Sequence, residues 1–339
     1  MKLIDNPSLS NYLTMKIGGS ALMMAEVYNL KDIQDIIQKC KNEKLKFYIL
    51  GGGSNIIAHD ETFNGIIIQN KITGMNVIKE DGKSAVIKAG GGEPWDDLVK
   101  MSVDINLSGI EAMSIIPGTC GAAPVQNIGA YGQEIADTLI EVEAFNTDSG
   151  EVETIAAKDC EFKYRSSIFR DKLPGKYIII SITLRLSKSK PKPPFYASLQ
   201  KYLDNAHITD YNVSDIRQAV IQIRQTKLPD PAKQPNSGSF FKNAIVTKQK
   251  LEQLLANYPN APYYDIGNNQ YKVPTGWLID NCNLKGRLIK GMRINPANAL
   301  VLINESASGY KDLAAARTEI TATVYDKFGI KIEQEPLEI

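Results

Sequence analysis

A run of small residues at positions 116–132 constrains the fold of this chain more than any other segment. It holds four glycines, at 118, 121, 129 and 132, and three alanines, at 122, 123 and 130. Such a segment has too few large side chains to form an ordinary core element. Small residues instead let backbone lie against a large flat ligand, while Gln126, Asn127 and Tyr131 offer directed polar contacts. We therefore expect a ligand-contacting loop here, with a merely irregular connection as the alternative.

A second glycine-rich loop, Gly51-Gly52-Gly53-Ser54-Asn55, directly follows an apolar stretch at 47–50 that predicts a short buried strand. Glycines permit positive φ and close backbone approach, so consecutive N–H groups can converge on a pyrophosphate. The spacing is not G-x-G-x-x-G, and Ile56-Ile57 leads toward another strand. A Rossmann nucleotide site is therefore disfavoured. Taken alone, the loop has a plain tight turn as its alternative interpretation.

Apolar periodicity predicts an α+β protein with two parts. In the first part it predicts helices at 30–40 and 95–101 and strands at 66–68, 85–87 and 180–186. A polar, proline-rich stretch at 187–194 then predicts a linker. Beyond it we expect helices at 215–224, 248–257 and 312–328 and a buried strand at 299–303.

Charge and rare residues exclude several classes of protein. Lys+Arg (39) nearly balances Asp+Glu (38), so there is no global field to recruit nucleic acid or an anionic membrane. No signal peptide and no apolar stretch near the ~20 residues of a membrane helix is present, which predicts a soluble, cytoplasmic protein without a membrane partner. The four cysteines lack CxxC spacing and only two histidines occur, so we expect reduced thiols and no metal site.

Four further segments, read with the two glycine loops, carry a resemblance to a known family. They are Tyr164-Arg165-Ser166-Ser167-Ile168-Phe169, Thr226-Lys227-Leu228-Pro229-Asp230-Pro231, Gly238-Ser239-Phe240-Phe241-Lys242-Asn243 and Gly276-Trp277-Leu278-Ile279-Asp280. With them the chain resembles the flavoprotein superfamily of vanillyl-alcohol oxidase and, within it, the bacterial UDP-N-acetylenolpyruvoylglucosamine reductases. The likeness runs nearly end to end, over residues 11–335.

The resemblance implies a fold and its boundaries. It implies a two-lobed FAD-binding domain of the vanillyl-alcohol oxidase type and a smaller C-terminal α+β substrate-binding domain. We expect an N-terminal segment at 1–16 and the FAD-binding domain at 17–189, with subdomains at 17–75 and 76–189. A linker with a tyrosine loop at 190–210 and the substrate-binding domain at 211–339 complete the expected chain.

The resemblance also implies a reaction. FAD, held noncovalently, would be reduced by NADPH and reoxidised by UDP-N-acetylglucosamine enolpyruvate to give UDP-N-acetylmuramate, a peptidoglycan precursor, and we expect the chain to act as a monomer. Hydride transfer to the enolpyruvyl methylene carbon builds negative charge beside the carboxylate. An acid must then deliver a proton to that position.

Three residues match the family's catalytic positions. Ser239 matches the proton donor, a role open to so weak an acid only because an enol intermediate is a strong base. Arg165 matches the cation beside the substrate carboxylate, and Glu335 matches the third catalytic residue. Glu333 stays open as the alternative carboxylate. Alternation along 330–335 predicts Lys331, Glu333 and Glu335 on one face.

Further positions match the family's binding residues. For the substrate's diphosphate and uridine these are Tyr196, Lys227 and Asn243. Alanines at 122 and 123 stand where hydroxyl residues are common, so we expect backbone amides to bind more of the pyrophosphate there. The expected FAD contacts are Gly51, Gly52, Gly53, Ser54, Asn55, Ile56, Gly118, Gly121, Ala122, Ala123, Ile128, Gly129 and Tyr131.

Two other functions remain open at this point. One is a small-molecule flavin oxidase of the same superfamily; such oxidases often bind flavin covalently through a histidine near the first glycine loop. Here Ser54 and Asn55 occupy that neighbourhood and His59 lies beyond it. The other is a nucleotide-sugar-binding relative without activity, which the presence of Arg165 and Ser239 disfavours.

Overall fold

The chain passes several times between two compact units, as seen in a computed structural model that describes residues 1–339. The first unit comprises Met1–Pro7, Ala21–Gly53 and Phe63–Gln225. The second comprises Ser8–Ser20, Ser54–Thr62 and Thr226–Ile339. Each unit has its own core, and each is described separately below.

The strands and helices are numbered in chain order. The strands are β1 (Lys2–Asp5), β2 (Ala21–Val27), β3 (Lys46–Leu50), β4 (Ile56–Ile57), β5 (Phe63–Asn70), β6 (Met75–Glu80), β7 (Ser84–Gly90), β8 (Gly129–Ala130), β9 (Gln133–Glu134), β10 (Leu139–Asn146), β11 (Val152–Ala156), β12 (Tyr177–Ser187), β13 (Asn236–Ser239), β14 (Ala244–Thr247), β15 (Tyr264–Asp265), β16 (Gln270–Val273), β17 (Leu288–Ile289), β18 (Met292–Ile294), β19 (Val301–Asn304) and β20 (Leu337–Glu338). The helices are α1 (Leu30–Glu43), α2 (Trp95–Asp104), α3 (Ala197–Asn205), α4 (Val213–Lys227), α5 (Lys248–Asn257), α6 (Thr275–Asn281) and α7 (Tyr310–Phe328).

One part of the first unit packs α1 against the sheet β1-β2-β5-β3, in which β5 pairs in parallel with β2 and β3. The side chain of Asn29 accepts a hydrogen bond from the Asp32 amide and caps the start of α1. Ile33, Ile36 and Ile37 form its buried stripe. The helix predicted from three-and-four spacing is thus confirmed, and β3 ends directly before the first glycine loop.

The other sheet of the first unit is antiparallel, with strand order β11-β10-β12-β7-β6. Its core includes Trp95 at the start of α2, which is 1% exposed and donates its indole N–H to the Met113 carbonyl over 3.1 Å. This bond attaches α2 to the chain entering the second glycine loop. Cys120 is also buried here, and burial raises the pKa of its thiol.

Helix α3 and helix α4 up to Gln225 lie in the first unit, whereas the expected boundary places residues from 211 onward in the substrate-binding domain. The apolar stripe of α4, with Ile216 and Val220, packs on Leu199 of α3 and on Ala112. The sequence pattern predicts the helix and its apolar stripe. It does not indicate the distant residues on which that stripe packs. The linker at 187–194 does separate β12 from α3.

The second unit contains two antiparallel sheets, β13-β19-β18-β17 and β14-β16-β15, together with α5, α6 and α7. Its core includes the adjacent rings of Phe240 and Phe241, whose centroids lie 5.0 Å apart. The short strands β4 and β20 pair in parallel. None of the helices in the protein combines the length and apolarity needed to span a bilayer.

A polar cluster anchors the last residues of the chain. The carboxylate of Glu338 accepts hydrogen bonds from the Tyr310 hydroxyl and the Gln334 amide, each at 2.9 Å, and pairs with Arg317. His59 lies 3.1 Å from the same carboxylate and stacks on Tyr310 at 3.9 Å. Although burial opposes its ionisation, these hydrogen bonds lower the pKa of Glu338 to about 2.

We expect Glu338→Gln to remove part of the protein's acid sensitivity. Because the folded-state pKa lies below the ordinary 4.5, ionised Glu338 stabilises the fold above about pH 4.5 and this contribution is lost as the pH falls toward 2. The substitution should lower the free energy of unfolding at pH 7 by about 1–2 kcal/mol and flatten its decline below pH 5. Urea titrations at several pH values measure this, with Glu319→Gln on the exposed face of α7 as the control. An unchanged pH dependence in the Glu338 variant would contradict the assignment.

Candidate active site

The two glycine loops approach each other so closely in the first unit that no side chain fits between them. A Cβ atom on Gly52 would lie 2.9 Å from the Gly118 Cα, and one on Gly51 would lie 2.9 Å from the Thr119 Oγ1. A Cβ on Gly121 would lie 2.8 Å from the carbonyl oxygen of Gly91. These glycines are therefore required by the close packing of the two loops, a demand that a plain tight turn on its own would not make.

Backbone amides of these loops suit a pyrophosphate. The N–H groups of Gly52, Gly53, Gly118 and Thr119 make no hydrogen bond within the chain. Gly53 and Gly118 have φ of +66° and +131°, conformations that direct their amides away from the regular hydrogen-bonding pattern of a strand. A cluster of N–H donors is the kind of site that binds a dinucleotide's phosphates, and the first unit thus fits the expected FAD.

The alanines at 122 and 123 differ from expectation. Their amides donate to the Thr119 carbonyl over 3.0 and 3.1 Å, closing a turn inside the loop. They do not replace the missing hydroxyl groups as phosphate donors. The donors with no partner of their own lie earlier in the loop, at Gly118 and Thr119.

The end of the second glycine loop presents an aromatic pair. Strands β8 and β9 are joined by Tyr131 and Gly132, whose φ of +50° and +88° fit a type I′ turn. The Tyr131 ring lies edge-on to Tyr196, with centroids 5.9 Å apart. Tyr196 precedes α3 and is 48% exposed. A predicted cofactor residue and a predicted substrate residue are therefore neighbours within the first unit.

Arg165 lies in a tight turn in which the backbones of Lys163 and Ser166 exchange hydrogen bonds of 3.2 and 3.1 Å. Its φ of +54° is uncommon for a residue other than glycine. Its guanidinium donates to the Gly129 carbonyl over 3.2 Å, and the neighbouring Ser166 hydroxyl bonds Asp171. The turn fixes the direction of the guanidinium beside the β8–β9 hairpin.

Ser239 ends β13 in the second unit and pairs with Val301. The side chain of Asn236 accepts a hydrogen bond from the Gly238 amide at 2.8 Å, and Gly238 has a φ of +72°. Directly after Ser239, the Phe240 amide donates to the Leu300 carbonyl over 2.7 Å. The backbone is thus held on both sides, while no other group of the chain hydrogen-bonds the Ser239 hydroxyl.

The segment with the candidate carboxylates lies against this loop. The Glu335 amide donates to the Phe240 carbonyl at 2.8 Å, and the Lys242 amide donates to the Glu333 carbonyl at 2.9 Å. Glu335 is only 7% exposed, whereas Glu333 is exposed. The prediction that Lys331, Glu333 and Glu335 share one face is wrong, because an isolated bridge at Gln334 replaces a continuous strand. Of the two carboxylates, Glu335 is therefore the buried one.

The two remaining substrate candidates also lie in the second unit. The Asn243 side-chain oxygen accepts a bond from the Thr275 amide at 3.2 Å, and the Thr275 hydroxyl donates to the Lys242 carbonyl at 2.7 Å. Lys227 ends α4, where its carbonyl accepts from Asn295 at 3.2 Å and its side chain is exposed. Ser239, Asn243 and Glu335 thus belong to two hydrogen-bonded segments of one unit.

Sequence reasoning missed Arg224, a cation beside the second glycine loop. Its guanidinium donates to the Ile115 carbonyl over 3.4 Å, and burial lowers its pKa, opposed by the nearby Tyr131. Its Nε–H is buried without a hydrogen-bond partner. The available signal was its position one helical turn before Lys227 on a predicted helix.

Known proteins match both parts of the chain. A family model described as FAD binding domain matches residues 21–156, and one described as UDP-N-acetylenolpyruvoylglucosamine reductase, C-terminal domain, matches residues 230–339. Proteins named UDP-N-acetylenolpyruvoylglucosamine reductase from Flavobacterium johnsoniae and Ralstonia nicotianae are 38% and 37% identical to the chain. The first match covers 99% of both chains and the second 100% of both.

Two solved structures share the fold. A crystal structure of UDP-N-acetylenolpyruvylglucosamine reductase from Thermus caldophilus gives a TM-score of 0.68 at 21% identity, covering 99% of this chain and 98% of that one. A 6-hydroxy-D-nicotine oxidase structure from Arthrobacter nicotinovorans gives 0.54 at 13% identity, covering 97% and 86%. At these identities they indicate the fold alone. The expected fold class, a vanillyl-alcohol-oxidase-type FAD-binding domain with a C-terminal domain, is confirmed.

The glycine packing predicts that Gly52→Ala impairs flavin binding. A methyl group 2.9 Å from the Gly118 Cα must separate the two loops and displace their amides. We expect the Kd for FAD, measured by quenching of FAD fluorescence on titration with apoprotein, to rise at least about tenfold, or about 1.4 kcal/mol. Gly82→Ala is the matched control, since nothing lies within 4 Å of the added Cβ. Equal affinity in the two variants would refute the packing argument.

Proposed function

The chain belongs to the UDP-N-acetylenolpyruvoylglucosamine reductase family, and from this membership we infer that it reduces UDP-N-acetylglucosamine enolpyruvate to UDP-N-acetylmuramate. FAD is its cofactor and NADPH its electron donor. The observation that carries this conclusion is the 38% identity to a named reductase over 99% of both chains. The matched C-terminal domain, 230–339, includes Ser239, Asn243 and Glu335.

The N–H groups of Gly52, Gly53, Gly118 and Thr119 are the groups we propose to bind the FAD pyrophosphate. When bound there, FAD would supply the two-electron hydride-transfer chemistry between NADPH and the substrate. Noncovalent attachment is supported by His59, which is stacked on Tyr310 and hydrogen-bonded to Glu338 in the second unit.

Ser239 is proposed as the proton donor to the enolpyruvyl carbon that carries the carboxylate, whereas the methylene carbon receives the hydride. Its hydroxyl has no partner in the chain, so the proton is not engaged elsewhere and can be directed at substrate. The hydrogen-bonded backbone on either side limits the movement of Ser239, which reduces the entropic cost of reaching a reactive geometry. A serine can serve because the enolate it would protonate is a strong base.

Arg165 and Glu335 are proposed to stabilise the developing charge. A guanidinium directed by a strained turn offers a planar, permanently charged donor for the substrate carboxylate and its enediolate. Glu335 is a buried carboxylate on a segment hydrogen-bonded to the loop that carries Ser239, a location from which it can orient that loop or the intermediate. Tyr196, Lys227 and Asn243 stay predicted contacts for the diphosphate and uridine, and the cytoplasmic location and monomeric state also stay predictions.

We expect Ser239→Ala to separate the two half-reactions. NADPH-driven flavin bleaching should stay within about twofold of the unsubstituted protein, while reoxidation by UDP-N-acetylglucosamine enolpyruvate should slow at least roughly 10²-fold, because only the second step needs the proton. Anaerobic stopped-flow absorbance of the flavin measures both rates.

Ser237→Ala is the matched control, since this serine lies two residues earlier and its buried hydroxyl also has no partner. It should alter neither half-reaction by more than about twofold, as expected for a serine outside the reaction. Equal losses in both half-reactions of the Ser239 variant would indicate damaged flavin binding and would contradict the proton-donor role.

A further inference from the structure

Ile115 has an unusual backbone conformation directly before the second glycine loop. Its φ is +52°, in the left-handed region that β-branched side chains rarely adopt. The chain continues through Ile116 and Pro117 to Gly118 and Thr119, whose amides have no partner within the chain. A strained residue persists only where its surroundings hold it, and such residues concentrate at functional sites.

Both backbone polar groups of Ile115 are held by charged side chains. Its amide donates to Oδ1 of Asp96 over 2.6 Å, and its carbonyl accepts from Arg224 over 3.4 Å. The first is a short, charge-assisted bond. Asp96 lies at the start of α2, whereas Arg224 lies on α4, so two helices hold this one residue.

Asp96 is itself fixed by a bidentate ion pair with Arg217 of α4. Arg217 Nη1 lies 2.7 Å from Oδ1, and Nη2 lies 2.8 Å from Oδ2. Arg217 Nη1 also donates to the Ser114 hydroxyl at 2.9 Å, next to Ile115. Burial favours the neutral acid, but the bonds from Arg217 and from the Ile115 amide together keep the pKa of Asp96 below its ordinary value.

The position of Asp96 is not explained by an interaction with the N-terminus of its own helix. A carboxylate in the first turn of a helix often interacts with that helix's free amides. Here Asp96 bonds Arg217 and Ile115, and neither of its oxygens bonds an amide of α2. The adjacent Trp95 amide donates to the Gly118 carbonyl at 3.1 Å. The first turn of α2 therefore contacts the loop both at Ile115, through Asp96, and at Gly118.

We propose that Asp96 and Arg217 are positioning residues for the flavin. The pair holds Ile115 in its left-handed conformation and so keeps the Gly118 and Thr119 amides arranged for the FAD pyrophosphate. Without the pair, Ile115 relaxes toward ordinary φ values and only a fraction of molecules retains the binding-competent loop. The apparent Kd for FAD then rises in inverse proportion to that fraction.

The test is a rescue experiment read out as the Kd for FAD. Asp96→Asn removes the ion pair, and we expect the Kd to rise about tenfold. Ile115→Gly removes the penalty on positive φ, because glycine adopts this conformation readily. Alone it should change the Kd by less than about threefold, and added to Asp96→Asn it should restore the Kd to within about threefold of the original.

Two further variants keep the test decisive. Asp104→Asn, at the other end of α2, removes a surface pair with Lys100 and should leave the Kd unchanged. Arg217→Lys keeps the charge but loses the bidentate geometry, and it serves as the test variant if Asp96→Asn does not fold. Its rise in Kd should be smaller, and Ile115→Gly should reverse it as well.

Two outcomes would overturn the proposal. An unchanged Kd in folded Asp96→Asn protein would show that the pair does not hold the loop. A raised Kd that Ile115→Gly does not restore would show that the pair acts in another way than through the Ile115 backbone. The proposal rests on the proposed use of FAD but not on the substrate. If UDP-N-acetylglucosamine enolpyruvate fails to reoxidise the flavin while the Kd for FAD rises and is restored as expected, the reductase function fails and the positioning role stands, so the two failures are distinguishable.

Discussion

The contact between the backbones of two glycine loops is the constraint on which the rest of the first unit depends. Side chains at Gly51, Gly52 or Gly121 would collide with atoms of the neighbouring segment. The loops approach this closely because one of them carries no side chains at the contact, and amides at Gly52, Gly53, Gly118 and Thr119 are left as donors. A chain with a formal net charge of only +1 can hold a doubly charged pyrophosphate in this way, through local dipoles.

In the second unit, the candidate residues are held by hydrogen bonds between the Gly238–Asn243 loop and the last residues of the chain. The Phe240 carbonyl and the Lys242 amide bond the segment with Glu333 and Glu335. That segment is followed by Glu338, which the polar cluster with Arg317 and Tyr310 holds in place. The fold therefore connects the two candidate residues Ser239 and Glu335 through backbone bonds rather than through their side chains.

Much of this could be predicted from sequence because it is encoded in local pattern. Glycine loops after a strand, amphipathic stripes such as that of α1, and the Gly238–Asn243 motif need no knowledge of distant partners. What could not be predicted depends on such partners. The α4 stripe packs on Leu199 of α3 and on Ala112. Near the end of the chain an isolated bridge at Gln334 replaces a continuous strand, and Glu335 is buried while Glu333 is exposed. The backbone of Ile115 is likewise bonded by Asp96 and Arg224, which lie 19 and 109 residues away in the sequence.

The most direct test of the central claim is an anaerobic flavin titration. Purified protein with bound FAD is bleached by NADPH in the absence of oxygen, and UDP-N-acetylglucosamine enolpyruvate is then added. The family assignment predicts that the flavin absorbance returns and that UDP-N-acetylmuramate forms in equal amount. Flavin that stays reduced until oxygen is admitted would contradict the reductase assignment and favour an oxidase.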